Sequence, residues 1–290
     1  MPEGDTIFRA ARTLNSALAG QKVTGFESVL PKLERVEVDF GVTGRAVERI
    51  EARGKWLLIY FSGDLILLTH MLMNGSWHIY RRGEKWKRRG VDMRVVIRTA
   101  RFEAVAFTVP IAEFHTAESL RRRRVFNELG PSVLAAEYDD AEILRRLRSK
   151  PELTVGEALL SQSLVAGVGN VFKSEICFAC GTHPFRTVES LSISELSCLV
   201  STARKFLVAN VTDTSDGKNV MYTGFRRTTG RMDREESLWV YGRRGKPCRQ
   251  CGAVIESRKQ GLDARTTFWC PNCQPLESSA NNVGHFAGTR

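Results

Sequence analysis

No run of apolar side chains in these 290 residues approaches the ~20 that a membrane span requires. The N-terminus also lacks the apolar core of a secretory leader, so a cytoplasmic chain is expected. Acidic residues are in deficit: 32 Asp and Glu face 43 Lys and Arg, leaving a formal net charge of +11. The imbalance is uneven, for between Lys218 and Arg265 twelve basic residues face five acidic ones. Such a distribution favours a polyanionic partner, nucleic acid above all. A full set of cysteine pairs is missing too. Seven cysteines are an odd number, and without an export signal they argue for metal or free thiols rather than disulfides.

What is present suffices for one large domain or two modest ones, with a real core. Residues 4–19 read as a helix: Asp5 or Thr6 caps it, Ile7, Phe8, Ala11, Leu14 and Leu18 form a stripe, and Gly20 ends it. From Val23 to about Val109 the pattern becomes that of strands, at 46–50, 56–61, 65–69, 76–80, 93–98 and 103–109. Short strands separated by glycine-containing turns predict a β-sandwich. The run from Lys85 to Gly90 interrupts it as a basic, solvated loop. Past Phe114 the period turns helical, over 118–126, 140–149, 155–165, 171–179 and 194–209. Ser192-x-x-Glu195 is a capping box for the last of these. Arg121 to Arg124 read as a wet helix face, residues 212–231 as a flexible connection, and the Ser/Asn/Gly-rich stretch from Leu276 as a disordered tail.

The strongest chemical signal is Cys248-x2-Cys251 followed, after eighteen residues, by Cys270-x2-Cys273. Each knuckle supplies two thiolates, and two knuckles close a tetrahedral site with no open position, the arrangement of one structural zinc ion. Arg258, Lys259 and Arg265 place positive charge between the knuckles. Cys177-x2-Cys180 reads as buried thiols and Cys198 as core.

The N-terminus, Met1-Pro2-Glu3-Gly4-Asp5-Thr6, carries a second signal. If the initiator Met is removed, the chain begins with a secondary amine. An α-amino group has a pKa near ~8 against about 10.4 for lysine, so a usable fraction is unprotonated at neutral pH. A proline that attacks an aldehyde carbon has no further proton to lose and stays a cationic iminium. Glu3 beside it is placed to exchange protons with a sugar oxygen. Further along, Gly167-Val168-Gly169-Asn170 joins two helices, and the N–H groups opening the second form a pocket for an anion. Arg53-Gly54-Lys55 precedes a strand and matters only if the fold carries it to the N-terminus. The turn His70-Met71-Leu72-Met73-Asn74-Gly75 holds large apolar side chains that either pack inward or wedge into something.

In this order, and followed by Val240-Tyr241-Gly242-Arg243 ahead of the four cysteines, these pieces resemble the formamidopyrimidine-DNA glycosylase/endonuclease VIII family. The likeness runs from Pro2 to Cys273, and the opening Pro-Glu-Gly-Asp is similar to the endonuclease VIII branch. The resemblance implies an α+β multidomain fold: an N-terminal helix with a catalytic β-sandwich over 2–115, a helix–two-turn–helix DNA-binding domain over 116–235, a zinc finger over 236–275 and a tail over 276–290. It also implies a bifunctional DNA glycosylase and AP lyase of base excision repair. This enzyme, a monomer at the bacterial nucleoid, would act on oxidised bases in damaged double-stranded DNA, pyrimidines first, and cleave by β,δ-elimination. Carried over residue by residue, Pro2 would be the Schiff-base nucleophile, Glu3 the acid/base, and Lys55 and Arg265 catalytic phosphate ligands. Asn170 and Arg265 would grip flanking phosphates, and His70, Leu72, Met73 and Asn74 would form the wedge. Leu72 replaces a polar wedge residue of the enteric enzymes, and Glu128 stands where the branch has a DNA-contacting arginine. Arg101-Phe102 echoes a second wedge loop. The rival reading is a non-catalytic zinc-ribbon DNA-binding protein; an RNA-binding zinc ribbon is a third.

Overall fold

The computed structural model describes residues 2–212 and 226–276. Helix α1 (Gly4–Leu18) leads into two four-stranded antiparallel sheets. One has the order β1 (Gly25–Ser28), β6 (Met93–Arg98), β7 (Phe102–Phe107), β5 (Ser76–Arg81). The other has the order β2 (Val47–Arg53), β3 (Trp56–Phe61), β4 (Leu65–His70), β8 (Ile111–His115). Alternation along β3 explains its run of apolar residues. Leu57, Ile59 and Phe61 face the other sheet across a core that includes Trp77, Val95 and Ala106. Leu58 and Tyr60 point the other way, under Leu120 and Phe126. Helix α1 adds Ile7, Ala10, Ala11, Leu14 and Leu18 to the central core. Each Ile or Leu of this set contributes about 2 kcal/mol by burial, and each Ala less than about 1 kcal/mol.

The second unit holds α3 (Ala117–Arg121), α4 (Arg124–Asn127), α5 (Asp140–Arg148), α6 (Val155–Leu160), α7 (Asn170–Ala179) and α8 (Ile193–Thr212). Helix α7 is its axis, buried at every position from Asn170 to Phe178. The capping box holds, with Glu195 N–H donating to Ser192 Oγ at 3.2 Å and Ser192 N–H to Glu195 Oε2 at 2.8 Å. The last hairpin pairs β9 (Glu256–Gln260) with β10 (Arg265–Trp269), Arg265 opposite Gln260.

Several expectations are corrected. Helix α2 (Pro31–Phe40) lies where strands were expected; only Leu33 of its residues is buried, so its period is faint. Strands β1 and β8 went unseen. The helix expected over 118–126 breaks at Arg123, whose extended backbone brings its guanidinium to Glu113 and over the Trp56 ring. The helix expected over 155–165 ends at Leu160. Cys180 and Cys198 are joined in a disulfide, because the packing of α7 on α8 sets their Cα atoms 5.9 Å apart. Cys177 alone fits the buried-thiol expectation, and burial pushes it up to about 12. The flexible connection is only partly addressed: 213–225 fall outside the described residues, as does the expected tail beyond Leu276, but Arg226 to Thr228 are firmly bonded. Among the described residues no helix is long and apolar enough to cross a membrane.

Candidate active site

The N-terminus enters the seam between the two units. Glu3 is fully buried. Its Oε1 accepts the N–H of Val171 at 2.8 Å and its Oε2 that of Phe172 at 3.4 Å. The anion pocket foreseen at the start of α7 therefore exists, and the chain's own carboxylate occupies it, where the helix dipole favours negative charge. Gly4 N–H donates to Gly167 O at 2.9 Å. This approach explains the glycines. A Cβ on Gly4 would lie 2.6 Å from Gly167 O, and one on Gly169 would lie 2.2 Å from Glu3 Cδ. Pro2 precedes Glu3 and is half-buried.

Lys55 does reach this place. Gly54 and Lys55 form a two-residue turn between Arg53 and Trp56, with Gly54 at φ +58°, the conformation such a hairpin asks of its first turn residue. Burial lowers the Lys55 pKa, Glu3 opposes that shift, and Arg265 and Arg226 add to it. Lys55 of the sandwich thus shares one neighbourhood with Glu3, with Arg265 of the finger hairpin and with Arg226, which comes after α8 in the chain. His70 adjoins this group through its pairing with Trp56, the two rings 4.6 Å apart. Burial, aided by Lys55, lowers His70 to about 4, so it is neutral near pH 7.

The expected wedge turn is built as a projection. Gly75 N–H closes it onto Met71 O at 2.8 Å, and a Cβ on Gly75 would lie 2.6 Å from that oxygen. Met71 packs inward, whereas Leu72 and Met73 are 45% and 56% exposed. Leu72 holds φ +45°, and its N–H donates to His70 Nδ1 at 3.1 Å. A leucine in the left-handed region is uncommon and marks a conformation fixed by its surroundings. Arg101-Phe102 lies elsewhere. β5 and β7 pair Ser76 with Phe107 and Arg81 with Phe102, so that hairpin tip is at the opposite end of the sheet. Thr108 is the neighbour instead, donating its hydroxyl to Asn74 O at 2.9 Å.

Asn170, at the first position of α7, donates through Nδ2 to Thr266 O at 3.0 Å, with a second N–H on the same nitrogen. Beside it a directed chain locks the finger down. Lys173 Nζ donates to Thr267 Oγ1 at 2.5 Å, Thr267 to Gln260 Oε1 at 2.7 Å, and Gln260 Nε2 to Thr154 Oγ1 at 2.8 Å. Lys173 is buried, which lowers it to about 8. Arg265 is thus carried on a hairpin held to α6 and α7. Its guanidinium is 3.8 Å from Asp263 in an exposed pair. Glu128 makes an exposed pair with Arg124.

The sulfurs of Cys248, Cys251, Cys270 and Cys273 all lie within 4.8 Å of one another. A tetrahedral ion with bonds of ~2.3 Å needs sulfurs about 3.8 Å apart, so the residues fit a closed four-thiolate site. Three features of the site had no sequence signal. Thr108 and Lys173 are single residues without a motif, and Asp5, expected as a helix cap and part of the opening Pro-Glu-Gly-Asp, lies inside α1 behind Glu3 and pairs with Arg226 across 221 positions.

A helix-led β-sandwich, a helix–two-turn–helix unit and a four-cysteine finger, with the N-terminus between them, define the fold of the formamidopyrimidine-DNA glycosylases. A Lactococcus lactis formamidopyrimidine-DNA glycosylase solved with abasic-site DNA superposes with a TM-score of 0.78, at 22% identity, over 94% of this chain and 100% of that one. Three family models match: the glycosylase N-terminal domain at 1–110, its H2TH domain at 129–220, and the zinc finger found in that family and in isoleucyl-tRNA synthetase at 245–276. The chain belongs to the formamidopyrimidine-DNA glycosylase family. Within it, "Probable endonuclease 8 2" of Streptomyces coelicolor is 38% identical over 94% of this chain and 94% of its own. A DNA-(apurinic or apyrimidinic site) lyase of Mycolicibacterium smegmatis is 32% identical over 94% of this chain and 99% of its own.

Proposed function

We propose that the chain is a bifunctional DNA glycosylase and abasic-site lyase of base excision repair, acting as a monomer on oxidised pyrimidines in duplex DNA in the bacterial cytoplasm, at the nucleoid. The observation that carries this reading is the buried Glu3 carboxylate next to Pro2, bonded to the start of α7 and in the electrostatic neighbourhood of Lys55. The unprotonated Pro2 amine bonds to C1′ of the damaged nucleoside as the base departs with the glycosidic electron pair. Loss of the amine proton and cleavage of C1′–O4′, with Glu3 delivering a proton to O4′, leave a cationic iminium. That cation withdraws electrons, so a C2′ proton is lost and the 3′-phosphate leaves. Loss of a further proton, from C4′, expels the 5′-phosphate, and water releases Pro2. Lys55, Asn170 and Arg265 hold the phosphates, and His70, Leu72, Met73 and Asn74 fill the stack when the base is extruded. Extrusion costs a few kcal/mol, least where a damaged base pairs poorly.

The four cysteines would hold one zinc ion, which supplies no chemistry to the sugar and serves to fold the finger that presents Arg265. Borohydride reduction on an oxidised-pyrimidine duplex tests the reading. A covalent protein–DNA adduct with Pro2 as the modified residue is expected; tight binding with no adduct would leave only a DNA-binding module.

A further inference from the structure

Asp5 has no exposed surface, and the Arg226 guanidinium meets it side-on: Nε is 3.0 Å from Oδ2 and Nη2 is 2.9 Å from Oδ1. Nη2 also donates to Thr6 Oγ1 at 3.0 Å, and Arg9 makes a longer contact with Asp5 at 3.6 Å. The Arg226 side chain keeps 12% of its surface and lies over the Phe172 ring, 5.4 Å from its centre. Removing two charges from water costs several kcal/mol, and an apolar pair of the same volume is often as stable or more so. Stability alone is therefore a poor account of this pair. Its placement supplies another.

Asp5 lies in the first turn of α1, directly after the Pro2-Glu3-Gly4 tip. Arg226 belongs to a stretch that the helical unit grips from two helices, α8 and α7. Asn210 of α8 takes both backbone groups of Arg227, at 2.9 Å and 2.8 Å. The next hydroxyl, of Thr228, donates to Glu175 of α7. Glu175 in turn accepts the N–H groups of Trp239, Val240 and Tyr241 at 2.8 to 2.9 Å. The guanidinium also acts on Glu3 and Lys55.

We propose that Arg226 is a positioning residue: its two-pronged hold on Asp5 fixes the first turn of α1 against the helical unit and so aims the Pro2 amine. The inference rests on the reading of Pro2 as nucleophile. A reacting atom displaced by ~1 Å loses about a hundredfold in rate, so such an anchor acts on rate and not on affinity.

The test uses the full zinc-loaded chain and duplex DNA carrying a preformed abasic site, with the borohydride-trapping rate measured as a function of DNA concentration. Arg226→Gln and Asp5→Asn should each lower the maximal rate by about tenfold or more while the half-saturating DNA concentration changes less than about twofold. Arg226→Lys should retain more activity than Arg226→Gln. Because an unpaired buried charge destabilises the tip, the double replacement Asp5→Leu/Arg226→Met is included. It should melt near wild type and still trap slowly. A double replacement that traps at the wild-type rate overturns the proposal, as does a loss confined to DNA affinity. A wild-type chain that forms no adduct sinks the Pro2 reading and this inference with it, which separates the two failures.

Discussion

The carboxylate of Glu3 ends on the backbone N–H of Val171, 2.8 Å away and 168 positions along the chain. One group therefore anchors the N-terminus and is proposed to move protons. Glu3→Gln keeps an oxygen for Val171 and loses the exchangeable proton. Base release in single turnovers should fall by about 10²–10⁴-fold with melting little changed. Glu3→Ala also leaves two backbone donors without an acceptor and should melt lower, by about 1 kcal/mol of stability. Unchanged base release by Glu3→Gln would remove the proton-transfer role.

Gly169→Ala examines the same contact from the helix side. Its new methyl would fall 2.2 Å from Glu3 Cδ and 2.6 Å from Oε1. Relief requires Glu3 to move, so the variant should lose about 1–3 kcal/mol and release bases slowly while keeping its metal content. A wild-type rate would mean that the position of Glu3 is not critical.

Arg265→Ala should shift the products on abasic DNA from δ- towards β-elimination, read on a denaturing gel. Chelation should do the same and weaken DNA binding, with the sandwich core intact by near-ultraviolet circular dichroism, because its burial does not involve the finger. Binding and product ratio both unmoved by chelation would count against a structural metal.

Burial lowers His70, His78 and His183 from 6.5 to about 4, and nearby cations add to it. The folded chain keeps them neutral, whereas the unfolded chain takes up protons below 6.5. Their contribution is complete above pH 6.5 and is lost as the pH falls towards 4. Partial exposure makes the loss smaller than the full linkage value. Melting temperatures across this range should fall more gently in His183→Gln than in wild type; parallel curves would contradict the shift. A proton on His70 Nδ1 would also end its bond from Leu72 N–H, so the wedge turn should loosen in acid.

Leu72→Ala and Met73→Ala remove exposed side chains, so stability should change by less than about 0.5 kcal/mol. Excision from duplex lesions should fall more than excision from a single strand, where no stack needs filling. Leu72→Gly should relieve the positive φ and raise the melting temperature while still losing excision. Equal losses on both substrates would argue against a wedge.

Local signals were legible in the sequence and long-range ones were not. The period of α1, the limits of Trp56–Phe61 and Met93–Arg98, and the four cysteines with metal spacing follow from residues close together in the chain. Helix α2 was invisible because one buried leucine carries no period. The pairing of Cys180 with Cys198 depends on how two helices pack, which cysteine parity does not reveal. The N–H groups opening the helix at Asn170 suggested an anion, yet nothing local showed that the anion is Glu3. Arg101-Phe102 had the composition of a wedge loop and the wrong end of the sheet, a fact that only strand pairing supplies.

Helix α1 belongs to two owners. Its apolar stripe is part of the sandwich core, while its leading end is bonded to Gly167, Val171 and Arg226, and Arg12 reaches Val211 O at 2.9 Å. Swinging the two halves of the molecule apart would pull the tip that carries Pro2, the proposed nucleophile, away from α7. On the proposed role of Pro2, a small molecule that props this seam open would silence the chain without competing for the damaged base.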